Sequence, residues 1–309
     1  MRDATAGDPI SGLKWTHKSL RTVARALRRQ GYTISAPPAA RLLREGDYAL
    51  RVNRKKLAGK QAPGRDQQFL YIAELRAAFL EQQRPVISVD TKQKELSGCF
   101  KPPGHQWRRA AHEVLMYDFR SDALRRATPY GIYDVGRNQG YVVVGLSHDT
   151  PQFAVAAIRS WGVNVGRKVY PGQTEMLIEA DCGGSNGNRC WVWQARLQDF
   201  ADEVALTITV THYPTGASQW NPIEHRCFTL ISGNWAGQPL ESYETMLKYI
   251  RTTKSGAGFR CQARWDKKVY TTGIKISPEE GASLHIEKHE MFPHWHYTIR
   301  PQLKPCHGS

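Results

Sequence analysis

The chain has 309 residues, 40% of them apolar, enough for one large α/β domain or about two domains. Lys and Arg number 43 against 28 Asp and Glu, and residues 1–65 carry +11 of the net +15. Six cysteines without a C-x-x-C pair exclude a zinc ribbon and a secreted disulfide framework.

So concentrated a basic segment points to a polyanion, with nucleic acid first, although a solvated tail would carry the same charge. No apolar signal core opens the sequence, and no run approaches 18 apolar residues. A soluble protein of a reducing compartment is expected: cytoplasmic, without membrane contact, and on the nucleoid when bound to DNA.

In chain order, "KSLRTVARALRRQGYTIS" places Leu20, Val23, Ala24 and Leu27 on one helical stripe. Arg21, Arg25, Arg28 and Arg29 surround it, Ser19 can cap its start, and Gly31 suits the position after its end. Ser35 opens a second helix, "APPAARLLREG", whose Pro37 and Pro38 fit only a first turn. It adds Arg41 to the basic surface. Two short helices and a tight turn in a basic module resemble a helix-turn-helix, with an ordinary helical hairpin as the competing reading. "NRKKLAGKQAPGRD" then reads as a linker, with Arg54, Lys55 and Lys56 as further cations for DNA. The domains expected are a module with its linker over 1–65 and a larger body over 66–309.

Phe69, Ile72, Leu75 and Phe79 mark the next helix. Beyond it, β-branched runs predict strands at Val86–Asp90, Tyr141–Leu146, Met176–Ala180 and Leu206–Thr211. "PQFAVAAIRSW" and "CWVWQARLQDFADEV" predict helical crossovers between the later ones. The early runs are close enough for antiparallel pairing, whereas the later ones need crossovers. The fold expected is α/β: an RNase H-like mixed sheet flanked by helices, with the small all-α module in front.

Three carboxylates stand at element ends. Asp90 closes "VISVD", Asp181 closes "MLIEAD", and Glu224 opens the helix after the last strand. Ligands of α/β sheets gather beyond the carboxyl ends of strands, so the three could meet there. Taken singly, an Asp at a strand end is commonly a turn residue, and Asp181 runs straight into the glycine-rich "CGGSNG". Glu224 carries more information. Asn221, Pro222 and Glu224 form a helix start in which the glutamate would serve as a capping-box residue. At about 100° per residue, however, Glu224 falls inside the arc of Ile223, Cys227, Phe228, Leu230, Ile231 and Trp235. A carboxylate facing the protein body must be paired or bound to a metal. The ligand reading is preferred over the cap.

Three oxygen ligands suit Mg or Mn better than Zn, and two such ions are the arrangement that activates one oxygen and stabilises another on phosphate. "CGGSNGN" lacks the Lys-Ser/Thr of a phosphate-binding loop, and no H-E-x-x-H is present. His285, His289, His294 and His296 read as surface or aromatic-packing residues.

"VISVDTKQKELSGCFK", "PYGIYDV", "LIEADCGGSNGNR", "HYPTGASQWNPIEHRCFTLISGNWAGQPL" and "HYTIRP" together resemble the Rhodopirellula-type DDE transposase family, the ISAzo-thirteen group of insertion sequences. The resemblance runs from about Asp8 to Pro301. It implies an RNase H-like catalytic core with Asp90, Asp181 and Glu224 as metal-binding triad, and an N-terminal helix-turn-helix for transposon ends. It also implies that Lys92 and the segment from Ser218 through Trp220 to Asn221 lie close to DNA. The function expected is a transposase that binds double-stranded element ends, hydrolyses a phosphodiester and joins the freed 3′-hydroxyl to target DNA, with a homodimer as candidate assembly. The alternatives are a transposase-derived DNA-binding protein without cleavage and an RNase H-like nuclease.

Overall fold

The computed structural model describes residues 5–7, 14–16, 19–46, 48, 64–92, 95–104, 106, 109–111, 113–116 and 125–302. The chain divides into two compact units, Met1–Ala58 and Gly59–Ser309. The division falls inside the segment read as a linker.

The first unit contains two short antiparallel strands, β1 (Thr5–Gly7) and β2 (Lys14–Thr16), which the sequence pattern does not announce. Helices α1 (Leu20–Arg29) and α2 (Ala36–Glu45) follow. Ser19 caps α1 by accepting from the Thr22 amide at 3.3 Å. Gly31, at φ +91°, lets the chain turn so that the Tyr32 amide reaches the Leu27 carbonyl at 3.1 Å. This is a Schellman closure, and it needs the left-handed residue that glycine supplies. Val23, Ala24 and Ala39 are buried, with Leu27 and Ile34 packed against them. Leu20, expected on the same stripe, is 38% exposed because α2 covers only the middle of α1.

The second unit begins with α3 (Arg65–Glu81) and strands β3 (Val86–Thr91), β4 (Glu95–Ser97), β5 (Arg125–Asp134) and β6 (Gln139–Gly145). Next come α4 (Pro151–Trp161), a π-turn at Gly162–Gly166, the short α5 (Arg167–Val169), β7 (Glu175–Ala180), α6 (Trp191–Val204) and β8 (Thr207–His212). After a π-helical turn at Glu224–Phe228 come α7 (Thr229–Asn234), α8 (Tyr243–Thr252), β9 (Arg260–Asp266), α9 (Pro278–Ala282), β10 (Ile286–Lys288) and β11 (His296–Ile299).

Eight strands form one mixed sheet in the order β10-β11-β8-β7-β3-β5-β6-β9, with β4 paired to β5 off this path. The pairs β3–β5 and β5–β6 are antiparallel, whereas β3–β7 and β7–β8 are parallel, with α4 and α6 crossing between them. The expectation needs one correction. The runs at Val86 and Tyr141 do not pair with each other, because β5 lies between them and makes them run the same way. Pro129 and Gly131 hide β5 from a propensity reading, since both residues weaken strands.

Each strand sends alternate residues to opposite faces. One face packs Ile87, Val89, Met176, Ile178, Ile208 and Val210 against α4 and α6. The other meets Ile223, Phe228, Ile231 and α8 at one end, and Phe79 of α3 at Val86 and Leu177. Asp90 lies on this second face, where the two helical groups approach one sheet edge.

Candidate active site at the strand ends

The parallel register fixes the first two carboxylates. Val89 pairs with Ala180, so Asp90 and Asp181 stand one step beyond the same rung of adjacent strands. Asp90 is 9% exposed, and its Oδ1 accepts from the Thr91 amide at 2.7 Å. The Asp181 backbone carbonyl is held by His212, whose Nδ1 lies 2.8 Å away at the end of β8. Burial pushes the His212 acidity down to about 4, so the ring is neutral and Nδ1 carries the donated proton.

Glu224 arrives from the other direction. Ile223 donates its amide to Ser88 Oγ at 2.9 Å, Ser88 donates to Asn221 Oδ1, and Asn221 Nδ2 donates to the Val89 carbonyl at 3.1 Å. All three side chains are fully buried. The first helical turn is therefore riveted to β3 just before Asp90. The capping acceptor for that turn is Ser88 of the strand, not Glu224, so the capping-box reading of Glu224 finds no bond in the structure.

The turn that carries Glu224 is π-helical, so the assumed 3.6-residue wheel does not hold between Glu224 and Phe228. The apolar assignments nevertheless come out close to expectation: Ile223, Cys227, Phe228, Ile231 and Trp235 are buried, and Leu230 is half-buried. Glu224 itself is half-buried and hydrogen-bonded to Asp90.

The three carboxyl groups feel one another. Burial pushes Asp90 well above the usual carboxylate range, and the charges of Asp181 and Glu224 push it further. Asp181 is also raised, first by burial, while hydrogen bonds from Gly183 and Asn186 pull it back. Its Oδ1 is buried without a hydrogen-bond partner. An orphaned carboxylate oxygen beside two more carboxyls is costly unless a cation or a proton joins them. As the side chains stand, no three His, Cys, Asp or Glu among the described residues converge on one ion position. Asp90 and Glu224 bond to each other instead, as two carboxyls do when they share a proton. The donor set is all oxygen and suits a hard divalent cation.

Sequence reasoning missed four neighbours. Asp149, before the Thr150 cap of α4, accepts from Thr91 Oγ1 at 3.1 Å and contributes charge against Asp181. Tyr130, Ser185 and Asn186 are buried around the same strand ends. The signal for Asp149 was masked because "HDTP" also spells a helix start. Glu179, two residues before Asp181, is excluded as a ligand by its partners: Arg76 binds it bidentately at 2.6 and 2.7 Å, and Tyr213 donates at 3.2 Å.

The remaining predicted residues separate by exposure. Ser218 and Trp220 form an exposed 3-10 turn, with Trp220 59% exposed and its ring against Phe69 at 6.1 Å. Asn221 is a correction: both ends of its amide are spent on β3, and no surface is left for DNA. Lys92 is also buried, its ammonium 4.9 Å above the Trp235 ring. Arg21, Arg25, Arg28, Arg29 and Arg41 are exposed on the first unit, with Arg41 3.5 Å from Glu45. Arg54, Lys55 and Lys56 lie outside the described residues. His296 is buried against Tyr71 and Phe292, and His289 packs on the same Tyr71, as aromatic-packing residues do.

The family described as the Rhodopirellula transposase DDE domain matches residues 1–301. No curated protein matches the chain in sequence. Among solved structures, a pre-cleavage Mos1 transpososome is similar at 13% identity and a TM-score of 0.45, covering 75% of this chain and 65% of that one. A Mos1 mariner paired-end complex with Mn is similar at 12% identity and a TM-score of 0.44, with the same coverage. The chain thus spans somewhat less than two thirds of the Mos1 chains it resembles. On the extent of the family match, this chain belongs to the Rhodopirellula transposase DDE domain family.

Proposed function

For a member of that family, we propose the activity of a DNA transposase: binding of insertion-sequence ends, phosphodiester hydrolysis, and transfer of the freed 3′-hydroxyl to target DNA. The single observation that carries this reading is the meeting of Asp90, Asp181 and Glu224. Two carboxylates end adjacent parallel strands, and the third is delivered to Asp90 by a helix pinned at Ser88. The strand order around them, three antiparallel strands continued by two parallel ones, favours an RNase H-like core.

Asp90, Asp181 and Glu224 are the residues that would hold Mg or Mn. Bound there, the ions supply activation of the attacking oxygen and stabilisation of the leaving one. The chain does the rest by position. Burial of Asp90 excludes water, and the Ser88–Asn221 bonds fix the height of Glu224 over β3. His212 anchors the Asp181 backbone. Ser218 and Trp220 offer an exposed surface for the DNA strand next to Glu224. Arg21, Arg25, Arg28, Arg29 and Arg41, on the two helices of the first unit, would contact phosphates as a helix-turn-helix does. Element ends act in pairs, which makes a homodimer the natural assembly. No helix among the described residues is long and apolar enough to cross a membrane, and action on DNA places the protein in the cytoplasm at the nucleoid.

The test is incubation of the full chain with end-labelled element DNA and Mg or Mn. Cleavage followed by joined products is the expected result. Cleavage without joining would instead mean a nuclease, and binding without cleavage a DNA-binding derivative.

A further inference from the structure

The glycine-rich "CGGSNGN" turn after β7 has no phosphate-binding signature, yet its polar residues are not solvated. Ser185 is 4% and Asn186 1% exposed, within the 3-10 turn Gly184–Asn186. Loop polar groups normally face water, and buried ones must be bonded. Ser185 Oγ lies 3.2 Å from Thr91 Oγ1, next to Asp90 in β3. Asn186 Oδ1 accepts from the Tyr130 hydroxyl at 2.7 Å. Tyr130, fully buried, sits opposite Thr91 in the β3–β5 register. One short turn thus joins the ends of β3, β5 and β7.

The Tyr130 bond decides which way the Asn186 amide points. With Oδ1 occupied by a donor hydroxyl, the Nδ2 end is the one available to the Asp181 carboxylate, and Asn186 hydrogen-bonds that carboxylate. The opposite orientation would set the amide oxygen against a carboxylate oxygen. Asp181 is left with one oxygen engaged and the other, Oδ1, buried and unpartnered. We propose that Asn186, oriented by Tyr130, is a positioning residue that locks the Asp181 carboxylate with Oδ1 presented to a divalent cation. The proposal rests on the ion-site reading above and adds two residues to it, neither of which is a ligand.

Calorimetric titration of Mn into the full chain tests it, with Tyr130→Phe, Asn186→Ala, the double variant, and Asp90→Asn as reference. Removal of an outer partner of a metal ligand weakens binding by about 10- to 100-fold. Asn186→Ala should fall in that range and Tyr130→Phe should lose less. The double variant should bind no more weakly than Asn186→Ala alone, because the hydroxyl acts only through the amide. A purely structural role would lower the melting temperature without this non-additivity. Tyr130→Phe keeps the buried ring, so it answers the question even where Asn186→Ala does not fold. Parental Mn affinity in Tyr130→Phe and Asn186→Ala, with binding lost in Asp90→Asn, would overturn the positioning role and leave the ion site standing. Independent, additive losses would also overturn it. Parental affinity in Asp90→Asn would sink the ion site itself, and this proposal with it.

Discussion

Gly131 and Phe228 occupy one volume: a Cβ on Gly131 would lie 2.5 Å from Phe228 Cε1 and 2.8 Å from Ile223 Cδ1. Gly131 faces Asp90 across the β3–β5 ladder, so the missing side chain is what lets the helix bearing Glu224 settle over Asp90. Gly131→Ala should destabilise by about 1–3 kcal/mol, the usual cost of overpacking. Cleavage should fall further than the stability loss explains. Adding Phe228→Leu should recover part of both, as read by melting temperature and strand-cleavage rate. No recovery from the second change would mean that the contact does not position Glu224.

Arg76 and Glu179 make a second test, of stability alone. Glu179 is fully buried and raised by burial, with Arg76 pulling it back. Arg76→Ala leaves that carboxylate unpaired, which costs about 3–5 kcal/mol for a buried pair. Adding Glu179→Gln should restore much of it, because the buried charge is then gone. Chemical denaturation of the three variants against the parent gives the answer.

The carboxylate cluster predicts a pH signature in ion-free protein. Asp90 is raised above its unfolded value, so between about pH 4 and its folded value the native state binds more protons than the unfolded state. Stability from this group is complete below about pH 4 and is lost as pH rises through the folded value. Asp90→Asn should therefore raise the melting temperature at pH 7 and lose that advantage near pH 4. His212 and His296, held neutral and lowered to about 4 and about 3, act in the opposite sense below about pH 6.5. Taking the difference between variant and parent removes their contribution. An Asp90→Asn advantage that does not change with pH would contradict the cluster electrostatics.

The exposed arginines of the first unit predict salt-dependent DNA binding by the full chain. Each phosphate contact contributes a slope of about −0.9 in log affinity against log salt. Replacing Arg25, Arg28 and Arg29 by Ala should flatten the slope by about 2–3 and weaken all sequences alike. An unchanged slope would place the phosphate contacts elsewhere.

Much of this geometry is legible in the sequence. Asp90 and Asp181 end β-branched runs, and parallel crossovers require them to lie side by side. Helix α4 covers the whole of "PQFAVAAIRSW" because Thr150 caps it and Pro151 fits its first turn. What the sequence conceals depends on contacts distant along the chain. The π-turn at Glu224 has no composition of its own, and Ser88 becomes a helix cap only when β3 meets Asn221. Asn221 looks like a surface cap and is an internal rivet. Strand β5 is masked by Pro129 and Gly131, the second of which is there to make room for Phe228.

Glu224→Gln tests the central claim most directly, by strand cleavage of labelled element ends in Mg and then Mn, alongside melting temperature and DNA binding. The substitution keeps side-chain length and can still bond to Asp90, but it removes the charge needed to hold an ion. The account predicts a protein that melts no lower than the parent, binds the DNA, and neither cleaves nor joins it in either metal. Near-parental cleavage by the variant would contradict the ligand role of Glu224, and with it the three-carboxylate site.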